Sequence, residues 1–106
     1  MDNIIKKFIQ KLKNTKLKEE IEKIYLFGSR AKGTERPDSD YDFLIVTSSN
    51  NNKEFRDKIY DIVVDMLIET QKVISLKIFK KEEFEKLSQM QTPFMQNILK
   101  EGIKIG

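Results

Sequence analysis

The chain has 106 residues, which is the length of one domain, so we expect a single domain over residues 1–106. Its 20 Lys and Arg residues nearly balance its 17 Asp and Glu residues, and 39% of the chain is hydrophobic, which excludes a polycation and indicates a packed core. The absence of Cys and His excludes disulfides, thiolate nucleophiles, zinc held by either residue and Ser-His-Asp catalysis, and it leaves oxygen ligands for any metal.

An amphipathic helix is predicted at the N-terminus, where Asp2 or Asn3 can act as the N-cap. Its apolar positions recur at three- and four-residue spacing and are Ile4, Ile5, Phe8, Ile9 and Leu12. The interspersed lysines are typical of a solvated face, so a helix packed on the core is favoured over one that lies on a membrane. The segment lacks the continuous apolar region of a secretory signal, and no stretch reaches the ~18 apolar residues of a membrane span, so we expect a cytoplasmic protein.

Two buried strands are predicted next, with a polar connector between them. The apolar run Ile24–Phe27 is stopped by Gly28, which is typical of a strand that enters a tight turn. Residues 29–33 resemble a short helical turn, and the polar stretch 34–39 predicts a loop. The run YDFLIVT predicts a second strand over Tyr41–Thr47.

The second half of the chain predicts a long helix, a strand and two further helices. The long helix starts near Lys53 and carries one apolar stripe. The later elements are a strand over Val73–Phe79, a helix over Lys80–Leu87 and a helix over Phe94–Lys100. The apolar residues of the last helix could cover the core or form a contact between subunits, and the core is favoured. The element order αβαβαβαα indicates the α/β class, in an α+β two-layer arrangement whose β-sheet is covered by helices.

The functional candidates are Gly28 and Ser29 at the end of the first strand and Asp40 and Asp42 at the start of the second. Strand side chains alternate between faces, so the two carboxylates project to one side, roughly 6–7 Å apart at Cα, and can share one hard cation. Gly28 makes room for the turn, and Ser29 with the free N–H groups after it can accept a phosphate. The motif has two halves, Gly28-Ser29 and Asp40-x-Asp42, and either half alone occurs in ordinary turns and loops. A phosphate cradle together with two metal-binding carboxylates indicates phosphoryl or nucleotidyl transfer.

For the two halves to meet, the first two strands must be antiparallel neighbours joined by the connector. The third strand, reached through the long helix, is then expected to run parallel to the second by a crossover connection, which predicts a mixed sheet. The ends of the strands that carry the motif converge on one edge.

The fragments GSRAKG and SDYDFLIV, with Gly28-Ser29 followed after ten residues by Asp40-x-Asp42, resemble the DNA polymerase β-type nucleotidyltransferase superfamily, and its minimal nucleotidyltransferase branch most closely. The tail TPFMQNILKEGIKIG is similar to the C-terminal helix of that branch. The resemblance implies a polymerase β palm-like fold, nucleotide phosphates held by Gly28 and Ser29, and Mg²⁺ held by Asp40 and Asp42. It also suggests Arg30 and Lys32 as phosphate contacts, although Arg and Lys side chains beside a loop are commonly just solvated.

One departure from the family pattern concerns the third carboxylate that active members carry on the next strand. Alignment of that strand with Val73–Ile78 places Ser75 where the acid is expected. A serine is a poor metal ligand and no base at neutral pH. The nearest acids, Asp61, Asp65 and Glu69, lie on or after the long helix and are more typical of solvent-facing charges.

The resemblance implies Mg²⁺-dependent transfer of a nucleoside monophosphate, AMP from ATP, to a hydroxyl of a partner macromolecule. Small members of this kind are often encoded with a HEPN-domain toxin and act as its antitoxin. The alternative, motivated by Ser75, is a catalytically impaired nucleotide-binding or partner-binding module that neutralises a toxin by occlusion. A nucleic-acid-binding domain is disfavoured, because the chain has no basic run of five or more residues.

Overall fold

The computed structural model describes residues 2–50 and 52–105, and ten elements of secondary structure lie within them. The helices are α1 (Asn3–Lys13), a 3₁₀ helix (Lys16–Glu20), α2 (Ser29–Lys32), α3 (Asn52–Thr70), α4 (Lys81–Met90) and α5 (Pro93–Glu101). The strands are β1 (Ile21–Phe27), β2 (Tyr41–Thr47), β3 (Ile74–Lys80) and β4 (Ile103–Lys104). Asp2 caps α1 as predicted, since its side chain accepts a hydrogen bond from the Ile4 N–H at 2.6 Å.

The four strands form one mixed sheet in the order β3-β2-β1-β4. β1 pairs antiparallel with β2, and β3 pairs parallel with β2, so both predicted strand relationships are confirmed. The short β4 adds to the free edge of β1 in antiparallel orientation. The motif-bearing end of β1 therefore lies beside the start of β2, and the start of β3 lies beside β2 on its other side.

Helices cover both faces of this sheet. α1 and α3 pack on the face to which β2 directs Phe43 and Ile45, and α4 and α5 pack on the face to which it directs Leu44 and Val46. The mixed α/β class with a helix-covered sheet is confirmed, but the sheet lies between two helical layers where the sequence predicts only one. The second layer forms because α5 buries Met95 and Ile98 against the sheet, so these apolar residues belong to the core, as favoured above.

Several local features differ from the sequence prediction. β3 (Ile74–Lys80) and α4 (Lys81–Met90) are displaced by one to three residues from their predicted bounds. β1 begins at Ile21, three residues before the predicted Ile24, because the charged start of the strand is held by pairing with β2. The 3₁₀ helix and β4 were not predicted. β4 has two exposed residues, and it exists through its pairing with Tyr25 and Leu26. Within the described ranges, no helix has both the length and the apolar character that a membrane crossing requires.

Candidate functional site

The two halves of the motif meet where β1 pairs with β2. Phe27, the last residue of β1, is the register partner of Asp42, so Gly28 follows directly beside that carboxylate. Gly28 has φ 73° and ψ −157°, a conformation that is almost exclusive to glycine. A Cβ at Gly28 would collide with Oδ2 of Asp42. Glycine is therefore required both by the backbone and by the approach of the acid.

The chain turns into α2 immediately after Gly28. The Gly28 carbonyl accepts hydrogen bonds from the N–H groups of Ala31 and Lys32, at 3.1 and 3.2 Å. The first N–H groups of a helix have no acceptor within that helix, so those of Ser29 and Arg30 face outward from the start of the turn. Ser29 is half-buried at this position. The turn thus places the Ser29 hydroxyl and two backbone N–H donors at the end of β1. Asp42 of β2 lies beside this end.

The carboxylate of Asp42 lies within the electrostatic influence of Asp40. Asp40 is exposed and directly precedes β2, and Asp42 is half-buried within it. Burial raises the pKa of Asp42, the negative charge of Asp40 raises it further, and the charge of Lys77 acts in the opposite direction. The two negative carboxylates repel one another, and a cation bound between them would reduce that repulsion.

These carboxylates fit one Mg²⁺ that arrives with a nucleotide. Among residues 2–50 and 52–105 there is no group of three or more His, Cys, Asp and Glu side chains placed to hold a metal. Mg²⁺ is commonly bound by one or two carboxylates, with water and substrate phosphates as its other ligands. Asp40 and Asp42 supply two such carboxylates. The remaining Mg²⁺ ligands would come from water and from phosphates of the substrate.

Ser75 lies beside Asp42, in the place that the sequence alignment indicates. The two residues are register partners in the parallel pair of β2 and β3, so their side chains share a face of the sheet. Glu69 is far from this position, because its carboxylate binds Lys7 at 2.7 Å and Lys11 at 3.0 Å and so links α3 to α1 on the opposite face. Its predicted role as a surface charge rather than a metal ligand is consistent with these pairs.

Lys77 is a residue of this region that the sequence analysis missed. It follows Ser75 by two positions on β3, so strand alternation places it on the same face. Its Nζ lies 5.9 Å from the centroid of the Phe94 ring, and its charge acts on Asp42. The period of two along β3, counted from Ser75, is the signal that could have revealed it.

Arg30 makes its contacts with the connector and with the start of β2. Its Nη2 donates to the carbonyls of Ser39 at 3.0 Å and Arg36 at 3.4 Å, and its guanidinium carbon lies 4.0 Å from the centroid of the Tyr41 ring. Nη1 is 4.0 Å from Oδ2 of Asp2, and the side chain is only 11% exposed. These contacts hold the connector in place, while the suggested phosphate contact of Arg30 stays a prediction.

A cavity larger than the one beside Gly28 lies away from the motif. A cavity of about 590 Å³ lies between the 3₁₀ helix and α3, with Leu17, Lys58 and Ile62 among its lining residues. The 3₁₀ helix precedes β1, so this cavity is at the end of the strand opposite Gly28. The candidate donors for phosphate and metal lie at the motif, and none of them lines this cavity.

The fold is that of the nucleotidyltransferases. The family model described as Polymerase beta, Nucleotidyltransferase matches residues 6–106, and the chain belongs to this family. A relative from Methanocaldococcus jannaschii, named "Putative protein adenylyltransferase MJ0604", is 35% identical over 101 residues, which are 95% of this chain and 93% of the relative.

Solved structures show the same fold at low sequence identity. A toxin–antitoxin crystallised with AMP-PNP contains a chain with a TM-score of 0.56 and 19% identity, over 96% of this chain and 69% of that one. A mutant of the toxin–antitoxin MntA-HpeT contains a chain with a TM-score of 0.57 and 15% identity, over 93% of this chain and 69% of that one. The topology described above is therefore shared with chains found in toxin–antitoxin complexes.

Proposed function

We propose that the protein acts in the cytoplasm as an Mg²⁺-dependent nucleotidyltransferase that moves AMP from ATP to a hydroxyl of a partner protein. In this reaction the acceptor oxygen forms a bond to the α-phosphorus, the bond between the α-phosphorus and the bridging oxygen breaks, and pyrophosphate leaves. The acceptor hydroxyl releases its proton to the surrounding water. The partner in the proposal is a HEPN-domain toxin, and the protein is its antitoxin.

The observation that carries this proposal is the contact between Gly28 and the Asp42 carboxylate. The two belong to motif halves that are separated along the chain, and the antiparallel pairing of β1 with β2 joins them. A phosphate held at Gly28 and Ser29 would lie next to Asp42. In-line transfer depends mainly on such positioning and on neutralising charge.

In the proposed reaction each motif residue has a binding role. Gly28 and Ser29 hold the phosphates of ATP, and Arg30 keeps the connector in place between them and the acids. Asp40 and Asp42 hold Mg²⁺, which when bound would neutralise negative charge on the phosphates. The name of the relative from Methanocaldococcus jannaschii and the AMP-PNP of a structural neighbour support the choice of an adenine nucleotide.

A protein partner is supported by the structural neighbours, which come from toxin–antitoxin complexes. The surface of α3 adds to this support, because it exposes four large apolar side chains on one side of the helix: Tyr60, Val64, Leu67 and Ile68, each at least 43% exposed. Contiguous exposed apolar surface is typical of sites that bind other proteins. We propose that the toxin contacts this face of α3.

The proposal is tested by incubating the protein with α-labelled ATP, Mg²⁺ and a HEPN-domain toxin of the kind proposed as its partner. We expect label on the partner, and we expect its loss in the double variant Asp40→Asn/Asp42→Asn. The double variant Glu82→Gln/Glu85→Gln is the matched control, because it removes two exposed acids from α4 and leaves both the motif and the exposed apolar face of α3 unchanged. Absence of label transfer by the wild-type protein across several nucleotides and divalent metals would refute the enzymatic function.

A second candidate function is neutralisation of the toxin by occlusion, and the position of Ser75 favours it. Without a third acid beside Asp42, the site has fewer metal ligands and lacks a nearby carboxylate base. Under this function the Asp40→Asn/Asp42→Asn variant would still protect against the toxin, whereas the enzyme would lose protection. An Ile68→Lys variant would reduce protection in both cases if α3 is the contact surface.

A further inference from the structure

A small cavity opens next to Gly28, on the face of the sheet that α5 covers. Its volume is about 210 Å³, and its lining includes Phe27, Gly28, Phe94, Asn97 and Ile98. We propose that this cavity takes the adenine base of the nucleotide, and that Asn97 selects adenine. The inference rests on the proposed function and specifies how its site recognises the substrate.

The position of the cavity suits the base because Gly28 belongs both to its wall and to the proposed phosphate site. In ATP the base and the α-phosphate are joined through one ribose, so a base subsite must lie within a few ångströms of the phosphate cradle. The larger cavity beside the 3₁₀ helix lies at the opposite end of β1 and fails this condition. The volume also fits, because 210 Å³ is below the ~300–1,000 Å³ of pockets for whole drug-sized ligands and suits one part of a nucleotide.

The walls offer the two kinds of contact that a base needs. Phe27 and Phe94 meet edge to face, with ring centroids 5.7 Å apart, and Ile98 is buried beside them, so the cavity presents apolar and aromatic surface to a planar ring. Asn97 is exposed at the cavity rim, and its amide carries both donors and an acceptor. An Asn amide can bond adenine at both N6 and N7, an arrangement that guanine does not reproduce.

The helix that carries these residues is fixed in place. Phe94, Asn97 and Ile98 have the i, i+3, i+4 spacing that places side chains on one side of a helix. α5 starts with Pro93 after the N-cap Thr92, whose Oγ1 accepts a hydrogen bond from the Met95 N–H at 3.3 Å. Met95 and Ile98 are buried against the sheet. The wall that α5 contributes to the cavity is therefore held by the core.

The test is a calorimetric titration of Mg·ATP, Mg·GTP and Mg·tripolyphosphate into the wild type and into Asn97→Ala and Gln96→Ala variants. Gln96 is the neighbouring exposed residue of α5 and does not line the cavity, so its variant is the matched control. We expect Asn97→Ala to weaken ATP binding about tenfold and to abolish the preference for ATP over GTP. Tripolyphosphate, which has no base, is expected to bind the wild type and both variants equally.

Two different failures can be told apart by the tripolyphosphate titration. If tripolyphosphate binds while Asn97→Ala leaves ATP affinity and the ATP-to-GTP ratio unchanged, the base subsite is refuted and the phosphate site stands. If neither tripolyphosphate nor ATP binds the wild type, the proposed function is refuted together with the subsite. Thermal unfolding of each variant, followed by circular dichroism, identifies any loss of binding that comes from loss of structure.

Discussion

The guanidinium carbon of Arg30 lies 4.0 Å from the centroid of the Tyr41 ring, so the two halves of the motif are joined by a cation–π contact. Arg30 follows Ser29 directly. The same side chain donates to the carbonyl of Ser39 at 3.0 Å, and Ser39 and Tyr41 are the two neighbours of Asp40. One arginine therefore ties the turn that is proposed to hold phosphate to both neighbours of an acid that is proposed to bind metal.

Replacement of Arg30 by Lys tests whether this arginine positions Asp40. The variant keeps the charge but loses the planar group that contacts Tyr41 and the carbonyls together. We expect the free energy of unfolding to fall by about 1–3 kcal/mol, measured by urea denaturation, and Mg·ATP affinity to fall as well. Arg36→Lys is the control, because it makes the same change at an exposed residue of the same connector. Equal changes of unfolding free energy and of Mg·ATP affinity in the two variants would contradict the proposal that Arg30 positions Asp40.

The Tyr41 hydroxyl predicts a specific dependence of stability on alkaline pH. Burial, the hydrogen bond that it donates to Asp2 at 2.6 Å and the charge of Asp2 raise the Tyr41 pKa from 10.0 to about 12. The unfolded chain releases this proton near pH 10 and the folded protein retains it, so the contribution to stability is complete below pH 10 and is lost as the pH rises toward 12. We expect Tyr41→Phe to lessen the fall in unfolding free energy over that range.

The control for this pH profile is Tyr60→Phe, which removes a hydroxyl from a tyrosine that is 43% exposed. The three proteins have the same residues at all other positions, so contributions from other groups cancel in the comparison. If Tyr60→Phe changes the profile as much as Tyr41→Phe does, the alkaline loss of stability has another origin. Urea denaturation at a series of pH values between 9 and 12 provides the measurement.

The two glycines that flank α2 have positive φ angles but different surroundings. Gly28 has φ 73° and a Cβ there would meet the Asp42 carboxylate, whereas Gly33 has φ 76° and nothing within 4 Å of the corresponding position. We expect Gly33→Ala to cost about 1 kcal/mol of unfolding free energy, from backbone strain alone. Gly28→Ala is expected to cost about 3 kcal/mol and to abolish Mg·ATP binding, because alanine is more strained in the Gly28 conformation (ψ −157°) than in that of Gly33 (ψ 17°) and its Cβ also displaces Asp42.

Urea denaturation of both glycine variants measures the loss of unfolding free energy, and calorimetry measures the loss of ATP binding. Similar losses of stability in Gly28→Ala and Gly33→Ala would show that strain accounts for both and that the approach of Asp42 to Gly28 has no energetic consequence. Retained ATP binding in Gly28→Ala would contradict the proposed phosphate position.

Local sequence patterns were sufficient to predict the parts of the fold that carry the motif. The uninterrupted run YDFLIVT predicts β2 with the bounds that the structure has, because a buried strand needs apolar residues on both faces. The requirement that the phosphate cradle at the end of β1 meet the carboxylates at the start of β2 then predicts the antiparallel pairing of these strands. This inference succeeded because the chemistry of the motif, in addition to hydrophobic periodicity, restricted the topology.

The features that sequence reasoning missed depend on contacts between distant parts of the chain. β4 consists of Ile103 and Lys104 and is defined by pairing with β1, which no local pattern reveals. The contacts of Arg30 with Tyr41 and the connector likewise need the three-dimensional arrangement, since an Arg beside a loop is commonly solvated. The role of Lys77 beside Asp42 depends on the register of β3 against β2, which the sequence alone does not give.

Restoration of a carboxylate at position 75 tests whether the metal site lacks a ligand. Ser75 is the register partner of Asp42, so the Ser75→Asp variant would place an acid on the same face of the sheet, beside the proposed metal pair. We expect its Mg²⁺ affinity to rise about tenfold in the absence of nucleotide, measured by calorimetry, because added carboxylate oxygens replace bound water. Its rate of label transfer to the partner is expected to rise as well.

Ser48→Asp is the control for this gain, because it adds the same charge at an exposed serine after the other end of β2. A general electrostatic attraction of Mg²⁺ would raise the affinity of both variants by similar amounts, and increasing salt would reduce both gains. A gain confined to Ser75→Asp shows that Asp42 and position 75 can share one ion, and that the wild-type protein relies on the nucleotide phosphates for its remaining ligands. If Ser75→Asp binds Mg²⁺ no better than the wild type, the acids at 40 and 42 do not form a metal site that a third acid can complete, and occlusion of the toxin becomes the favoured function.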